Sequence, residues 1–477
     1  MVSMCVFVMT IVGAAMETLG VSIIVPLVQS FISADQLLHK PEIAWVVDLL
    51  DIETATQLIV WISGGVVAIY LIKNAFMVLL SYVRVKFATM VKRELSVKMM
   101  HSYMSREYSY FLNVNTEDVL RGIGYDVSGV YEVLMQLFRI AAEVLTAGCI
   151  CVYIFCTDVV IALGVVMVMG ITLLALMMFF RNKMKVIGDV YRKYTVEVNK
   201  YLHESFQGIK DVYIFHKEQY FIDHYEGAFT KQQKIEVSKT IATESPAYII
   251  EAVCVSGLIM VVGLKIVLGG NSADFVPQMA AFAIAAFRIL PSIGRISAGF
   301  NQLIYSCPAL NATHRHLKEV ETFQDQYRVQ KQISGDPEQK INFTTAIEAK
   351  GLFWKYPGAD RKVMENLDMT IPKGKSVAII GQSGAGKSTM ADILLGLLVP
   401  DRGDIKVDGV SIYDEMESWK RTVGYVPQTV FLCDDTIRKN IAFGIADTEI
   451  DEQRLQRAVQ QAQLTQAIAE LPNGLDT

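Results

Sequence analysis

The chain has 477 residues, of which 52% are hydrophobic and only 19% are charged. A soluble domain usually carries about 25% charged residues, so this composition excludes a wholly soluble protein and indicates that much of the chain lies in lipid. The net charge of −5 does not fit a basic nucleic-acid-binding protein, and we expect no nucleic-acid partner. The seven cysteines show no zinc or disulfide spacing.

Six segments are apolar and long enough to cross a bilayer as helices, which takes about 20 residues. The loop between the first two, residues 33–56, contains one lysine and five acidic residues. The connections after the second and fourth segments are rich in lysine and arginine. The positive-inside rule therefore places the acidic loop outside and both long connections in the cytoplasm. The six predicted spans are Met4–Phe31, Leu58–Leu80, Val133–Cys156, Val159–Phe180, Ala247–Leu268 and Phe275–Ile304.

The two cytoplasmic connections are too long for turns and contain no proline between Arg84 and Glu244. We therefore expect the spans to continue as helices well beyond the bilayer. Within them, Leu112–Arg121 and Tyr213–Tyr225 carry polar and aromatic residues that suit either docking on another domain or a solvated helix surface.

After the last predicted span, the chain becomes polar and loop-like from Glu321 to Thr345, which predicts a linker. Short β-rich runs then alternate with turns, as in an α/β domain. The expected strands are Ala346–Lys350, Val377–Ile380, Ile405–Val407 and Val423–Val426.

A glycine-rich motif, Gly381–Thr389, follows the expected strand Val377–Ile380 and precedes the helical stretch Met390–Leu395. It matches the pattern GxxxxGK[ST]. Glycines allow backbone N–H groups to turn towards a phosphate, and the helix N-terminus adds partial positive charge. In this type of loop, Lys387 reaches the β- and γ-phosphates and Ser388 binds Mg²⁺. The order of strand, loop and helix predicts a nucleotide site.

Two further segments narrow the class of nucleotide site. The aromatic run Phe353–Pro357 can stack on a base, although such residues more often pack in a core. The segment Gly424–Gln428 places a glutamine at an expected strand end, and Phe431–Gly444 follows it.

Together these segments resemble the nucleotide-binding domain of ATP-binding-cassette (ABC) transporters, and the six spans resemble the exporter type. The resemblance implies a multidomain fold. A six-helix α-helical transmembrane domain would occupy residues 1–306, a linker residues 307–345, and an incomplete α/β P-loop nucleotide-binding domain residues 346–477. It also implies ATP and Mg²⁺ as cofactors, with the metal bound at Ser388 and Gln428. The nucleotide-binding residues that it implies are Tyr356, Gly381, Gln382, Ser383, Gly384, Ala385, Gly386, Lys387, Ser388, Thr389 and Gln428.

The sequence ends at Thr477, before the positions where that family has its LSGGQ signature, the strand closing on Asp-Glu and the switch histidine. No catalytic carboxylate can therefore be assigned. The first predicted span begins almost at Met1, without the cytoplasmic helix that usually precedes it in such exporters. We expect a longer natural gene product, and expect that the sequence as it stands binds ATP but hardly hydrolyses it.

Two arginines in the sixth predicted span, Arg288 and Arg295, are candidate substrate-binding residues. They lie seven residues apart and so on about the same helix face. Ionisable side chains at bilayer depth are costly and suggest function, here the binding of an anionic head group. Pairing with Glu251, Glu17 or Glu143 is the structural alternative, and it has equal weight. For Glu143 itself, the i, i+4 spacing predicts Arg139 as partner. Glu17 is predicted to be a partnered structural residue.

Two local stretches, Met16–Leu27 and Ala286–Arg295, resemble bacterial exporters that flip lipid-linked oligosaccharides. Residues Asp35–Leu50 could form an amphipathic helix at the outer interface, as in those flippases, or a partly ordered loop.

The leading hypothesis is an ATP-hydrolysing translocase that works as a homodimer in the inner (plasma) membrane, with its nucleotide domain in the cytoplasm. Its expected partners are membrane lipid and an amphipathic, anionic, lipid-linked substrate, with a lipid-linked oligosaccharide preferred over a lipid A-like species. A drug or peptide exporter is the alternative within the class. A non-hydrolysing, nucleotide-gated membrane protein is the alternative from another class. A soluble P-loop enzyme with a membrane anchor is disfavoured because one span would suffice.

Overall fold

The structure is a computed structural model. It describes residues 2–23, 54–114, 116–157, 159–267, 275–333 and 343–477, together with residues 27, 31 and 341. The chain divides into two compact units, Met1–Gln332 and Ile333–Thr477. In the described ranges the first unit is helical, whereas the second contains both helices and a β-sheet.

The helical unit is built from a few very long helices joined by short ones. A π-helical turn, Gly122–Asp126, lies between α4 and α5. The helices are α1 (Val2–Ser22), α2 (Ala55–Met104), α3 (Tyr108–Phe111), α4 (Thr116–Arg121), α5 (Val127–Thr157), α6 (Val159–Gln207), α7 (Ile209–Ile214), α8 (Glu218–Val267) and α9 (Phe275–Ile333).

The long helices extend well past the apolar segments that predict them. Helices α2 and α8 have 50 residues each and α6 has 49. At about 1.5 Å per residue, each is about 75 Å long, more than twice the thickness of a hydrocarbon core of about 30 Å. This length agrees with the expectation that the spans continue as helices beyond the bilayer.

Two described helical stretches, Thr56–Met104 and Asp118–Val152, have the length and composition to cross a membrane, and a shorter apolar helix covers Met4–Gly20. Each of the other predicted spans lies mainly in a described helix, but their number as membrane crossings remains a prediction. The predicted outer segment Asp35–Leu50 lies outside the described residues.

Glycines bring α9 close to its neighbours. A Cβ on Gly188 of α6 would lie 2.6 Å from the backbone oxygen of Tyr305 in α9. A Cβ on Gly294 of α9 would lie 3.2 Å from that of Ala247 in α8. The absence of a side chain at these points allows the helices to approach each other closely.

Two buried charged residues of the described helical unit, Lys73 and Asp126, are paired. Lys73 of α2 is almost fully buried and lies 3.2 Å from the carboxylate of Glu17 in α1. Glu17 is thus a partnered residue, as predicted. Farther along the chain, the fully buried carboxylate of Asp126 accepts a hydrogen bond of 2.9 Å from Arg192 of α6. Burial of a charge is tolerated when it is paired in this way.

The second unit contains a four-stranded antiparallel sheet with strand order β2-β1-β3-β4. Its core is formed by sheet residues such as Leu352 and Ile405 packed against Ile393 and Trp419 of the helices. The strands are β1 (Ala346–Lys355), β2 (Lys362–Pro372), β3 (Arg402–Val407) and β4 (Val410–Ser411). The helices are α10 (Lys387–Leu394), α11 (Met416–Thr422), α12 (Ile437–Ile441), α13 (Glu452–Gln461) and α14 (Thr465–Ala469), with 3₁₀ turns at Asp447–Glu449 and Gly474–Asp476.

Two of the expected strands are not formed. Residues Val377–Ile380 and Val423–Val426 are not part of a strand in the described structure, although both are β-rich. Ile380 and Val426 are 92% and 90% exposed, so neither packs on a neighbouring strand. The physical reason is that propensity favours a strand only where a partner supplies hydrogen bonds and a packing surface.

The polar stretch that begins at Glu321 is predicted to be a loop, but it is helical as far as Ile333, where α9 ends. Between Pro308 and Ser334 the sequence contains no proline or glycine, so nothing interrupts the helix. The turn residues that follow, Ser334–Pro337, are typical of a helix end.

Candidate nucleotide site

The glycine-rich loop 381–386 lies before helix α10, which begins at Lys387. Gly384 and Gly386 have φ angles of +77° and +88°, a conformation that favours glycine over other residues. A Cβ on Gly386 would also lie 2.7 Å from Val363 of β2. The sequence therefore needs glycine at this point both for the turn and for the packing of the loop against the sheet.

Lys387 is held against the loop that precedes it. Its ammonium group donates hydrogen bonds of 2.9 and 2.7 Å to the carbonyl oxygens of Gly381 and Gln382. These contacts place a positive charge over the loop, beside the N-terminus of an eight-residue helix. Both features attract anionic oxygens, so the loop has the chemistry of a phosphate site.

Tyr356, predicted to stack on adenine, lies directly after β1. Its hydroxyl is 3.1 Å from that of Thr389, in the first turn of α10. Its ring forms a T-shaped contact with the indole of Trp354, with ring centroids 4.4 Å apart. The structure thus brings an aromatic ring, 40% exposed, next to the phosphate loop.

The structure gives less direct support for the two residues predicted to bind Mg²⁺. Ser388 is exposed on the first turn of α10, beside Lys387. Gln428 lies in an exposed bend. Among the described hydrogen bonds, none joins Gln428 to Ser388, and the described residues contain no cluster of acidic, histidine and cysteine side chains for a metal.

In the helical unit, Arg295 of α9 forms a bidentate ion pair with Glu143 of α5. This replaces the pairing of Glu143 with Arg139 that the i, i+4 spacing predicts. For Arg295, the structure therefore agrees with the alternative that it pairs with a glutamate. Its side chain is nevertheless 49% exposed. Arg288 lies on the same helix, and its side chain is outside the described part of the structure.

Sequence reasoning missed two buried charges, Lys73 and Asp126. A search of the predicted spans for ionisable residues would have found Lys73, because it lies in the second. Asp126 has no comparable signal. Its partner Arg192 is 66 residues away, and the two meet only because α6 packs next to the π-helical turn.

These observations define a class of protein. A long-helix region with candidate membrane spans precedes a unit that carries a P-loop, and an aromatic side chain lies next to that loop. The combination describes a membrane protein with a nucleotide-binding domain.

Comparison with protein families gives the particular family. The model of the ABC transporter transmembrane region matches residues 3–282, more than half of the chain, and the ABC transporter model matches residues 364–475. The chain belongs to the ABC transporter family. It has a helical transmembrane region followed by a nucleotide-binding domain, and membership implies that this domain binds ATP.

Relatives agree with this assignment. An ATP-dependent lipid A-core flippase from Dechloromonas aromatica is 26% identical over 300 residues, covering 62% of this chain and 49% of the relative. A flippase of the same name from Aromatoleum aromaticum is 27% identical over 321 residues, covering 66% of this chain and 51% of the relative. The chain thus spans about half the length of these relatives.

A solved structure shares the fold. The structure of a bacterial Atm1-family ABC exporter with ATP bound matches with a TM-score of 0.73 at 19% identity. The match covers 100% of this chain and 79% of that one. At this identity the match shows the ABC exporter fold alone.

Proposed function

We propose that the protein is an ATP-driven exporter that flips an amphipathic, anionic lipid across the inner membrane as a homodimer. The observation that carries the proposal is the phosphate loop with Lys387 folded over it, in a chain whose other unit is a long-helix membrane region. ATP binding would draw two nucleotide domains together, and hydrolysis would reset the transporter.

The nucleotide site is proposed to use the residues of the phosphate loop. When ATP binds, the Lys387 ammonium would donate to phosphate oxygens instead of the carbonyl oxygens of Gly381 and Gln382. Tyr356 would stack on adenine. Ser388, exposed at the start of α10, would bind Mg²⁺ with Gln428. When bound, the metal neutralises phosphate charge. Glycine conformations at 384 and 386 and the helix N-terminus fit these ligands.

The substrate class is supported by the relatives named lipid A-core flippases and by the half-exposed guanidinium of Arg295. Because Nε and Nη2 of Arg295 donate to Glu143, its Nη1 is the atom that would donate to a phosphate oxygen. Arg288, on about the same helix face, would provide the second cation. The relatives' names favour a lipid A-like substrate, and a lipid-linked oligosaccharide has the same chemistry of an acidic head and lipid tails.

Nucleotide binding is tested first, with the full chain in detergent. The wild type should bind ATP, and Lys387→Ala should lower the affinity at least about tenfold, since a charged hydrogen bond is lost. Lys375→Ala is the matched control: this lysine is exposed, shortly before the loop, and its removal should leave the affinity unchanged. Equal ATP affinity in all three proteins would contradict the proposed nucleotide site.

Flipping is then tested in liposomes with the product of the complete gene, and ATP hydrolysis and translocation are measured for lipid A-core, a polyprenyl-pyrophosphate glycan and a neutral lipid. Stimulation by the two anionic lipids, and its reduction in the double variant Arg288→Ala/Arg295→Ala, would support the proposal. Stimulation only by drugs or peptides would support the alternative exporter. ATP binding without hydrolysis or transport would support a nucleotide-gated membrane protein.

A further inference from the structure

The hydroxyl groups of Tyr356 and Thr389 lie 3.1 Å apart, although the two residues are 33 positions apart in the sequence. Tyr356 follows β1, which ends at Lys355, and Thr389 is the third residue of α10. Thr389 is only 4% exposed, and it belongs to the same helix turn as Lys387 and Ser388. The hydrogen bond therefore connects the aromatic residue directly to the helix that bears the phosphate loop.

A second contact restrains the same ring. The planes of Trp354 and Tyr356 meet at 77°, an edge-on arrangement with centroids 4.4 Å apart. Trp354 is 5% exposed and belongs to the core of the sheet. Directly after Tyr356 comes a turn, in which Ala359 donates a backbone hydrogen bond of 3.0 Å to the Tyr356 carbonyl and Gly358 has a φ of +77°. Tyr356 is thus a loop residue whose ring is restrained by a T-shaped contact with Trp354 and by a hydrogen bond through its hydroxyl.

We propose that Thr389 is a positioning residue for base recognition, acting through its hydrogen bond to Tyr356. This proposal rests on the proposed function, in which Tyr356 stacks on the adenine ring. A ring that is already oriented loses less conformational freedom when the base arrives, and affinity rises by the cost that is avoided. The affinity for the base then depends on the Thr389 hydroxyl, although the base does not contact that group.

The consequence is a division between the two ends of the nucleotide. The triphosphate interacts with the glycine-rich loop and Lys387, whatever the orientation of Tyr356. The base interacts with the tyrosine ring, whose orientation depends on Thr389. Loss of the hydrogen bond should therefore weaken ATP binding more than it weakens binding of a triphosphate that has no base.

The test measures dissociation constants of ATP and of inorganic tripolyphosphate, both with Mg²⁺, for the full chain in detergent. The variants are Tyr356→Phe, Thr389→Val, the double variant of these two, and Thr389→Ser, which retains the hydroxyl. The measured quantity is the ratio of ATP affinity to tripolyphosphate affinity. Using this ratio removes any direct effect of Thr389 on the phosphates, since such an effect acts on both ligands.

We expect the ratio to fall about two- to tenfold in Tyr356→Phe and in Thr389→Val, the range that one net hydrogen bond provides. The double variant should fall no further than either single variant, because both remove the same bond. Thr389→Ser should keep the wild-type ratio. Tyr356→Phe removes only a hydroxyl group from a side chain that is 40% exposed, so its result can be interpreted even if Thr389→Val folds poorly.

The proposal is overturned if Thr389→Val lowers both affinities equally, since Thr389 would then act on the phosphates alone. It is also overturned if the two single effects multiply in the double variant. Failure of the proposed function would give a different result, because Lys387→Ala would then bind ATP as tightly as the wild type.

Discussion

Arg295 and Glu143 join helices α9 and α5 through two parallel hydrogen bonds, from Nε to Oε1 at 2.5 Å and from Nη2 to Oε2 at 3.0 Å. Glu143 is mostly buried, with 17% of its side chain exposed, and Arg295 is half exposed. The same arginine also donates to the hydroxyl of Ser292, one turn earlier. A bidentate pair of this kind fixes the relative position of two helices.

Neutralising Arg295 should therefore cost more stability than neutralising Arg139, which the helical spacing alone makes the expected partner of Glu143. We expect Arg295→Gln to lower the free energy of unfolding by about 1 kcal/mol, the upper range for an ion pair with an exposed member. Arg139→Gln should cost less than half of that. The measurement is thermal unfolding of the two variants in the same detergent.

A double-variant comparison checks the assignment. Glu143→Gln combined with Arg295→Gln should be no less stable than the sum of the single effects predicts, because the second change removes a group that has already lost its partner. An equal loss in the Arg139 and Arg295 variants would contradict the prediction that the pair between α5 and α9 stabilises the protein more than the contacts of Arg139 do.

Asp126 should be far more sensitive than its neighbour Asp118, although both lie beside Arg121. Asp126 is fully buried and accepts a 2.9 Å hydrogen bond from Arg192, with Arg121 at 3.8 Å. Asp118 is 48% exposed and lies 2.6 Å from Arg121. Removing the buried carboxylate leaves charge inside the protein without compensation, which costs about 3–5 kcal/mol. Removing the exposed one costs about 1 kcal/mol or less.

The variants for this comparison are Asp126→Asn and Asp118→Asn, since each removes only the charge. Thermal unfolding and resistance to limited proteolysis should both show a large loss for the first and little change for the second. A similar behaviour of the two variants would show that burial of Asp126 does not determine its contribution.

Gly188 provides a third comparison, because a methyl group added at this position would push α6 and α9 apart. In Gly188→Ala the new Cβ would meet the Tyr305 backbone oxygen at 2.6 Å and Pro308 at 3.4 Å. Backbone atoms cannot rotate away, so we expect a loss of about 1–3 kcal/mol, typical of overpacking.

Gly227 of α8 is the matched control, because it is exposed and a Cβ there would meet no atom within 4 Å. Gly227→Ala should raise stability by about 0.5–1 kcal/mol through helix propensity. The two glycine variants should thus shift the unfolding temperature in opposite directions. A stabilising effect of Gly188→Ala would contradict the close packing of α6 on α9.

These comparisons show which parts of the molecule the sequence could predict. Apolar runs predict the long helices because they are a local property, although α8 continues through Pro246 and α9 through Pro291 and Pro308. The phosphate loop is also local, and its glycines have the conformations that the motif requires. The partner of Glu143 is not local: spacing offers Arg139, but the approach of α9 provides Arg295. Packing between distant elements decides such pairs.

The same reason explains the strands that are not formed. Val377–Ile380 has β-rich composition, yet a strand also requires a neighbour in register, which no local pattern contains. At the nucleotide site, the sequence alone indicated Tyr356 and Thr389 separately. Their hydrogen bond depends on how β1 meets α10, and only the three-dimensional structure shows it.

A final prediction concerns pH and His316, which lies on α9 beyond the predicted membrane span. Its Nδ1 atom is 3.1 Å from the hydroxyl of the buried Tyr103 on α2. Burial lowers the pKa of His316, and the positive charges of Arg315 and Arg121 act in the same direction, against Glu319 and Asp126. The histidine is therefore neutral in the folded protein over a range in which the unfolded chain takes up a proton.

The sign follows from linkage between protonation and folding. A depressed pKa in the folded state means that the unfolded state binds more protons as the pH falls below about 6.5, so stability decreases with acidification. His316→Gln removes the titrating group and should make the unfolding temperature less dependent on pH between pH 7.5 and pH 5.5. His314→Gln, two residues earlier on an exposed position of the same helix, should retain the wild-type dependence. An unchanged pH profile in His316→Gln would show that this histidine does not couple protonation to the packing of α2 against α9.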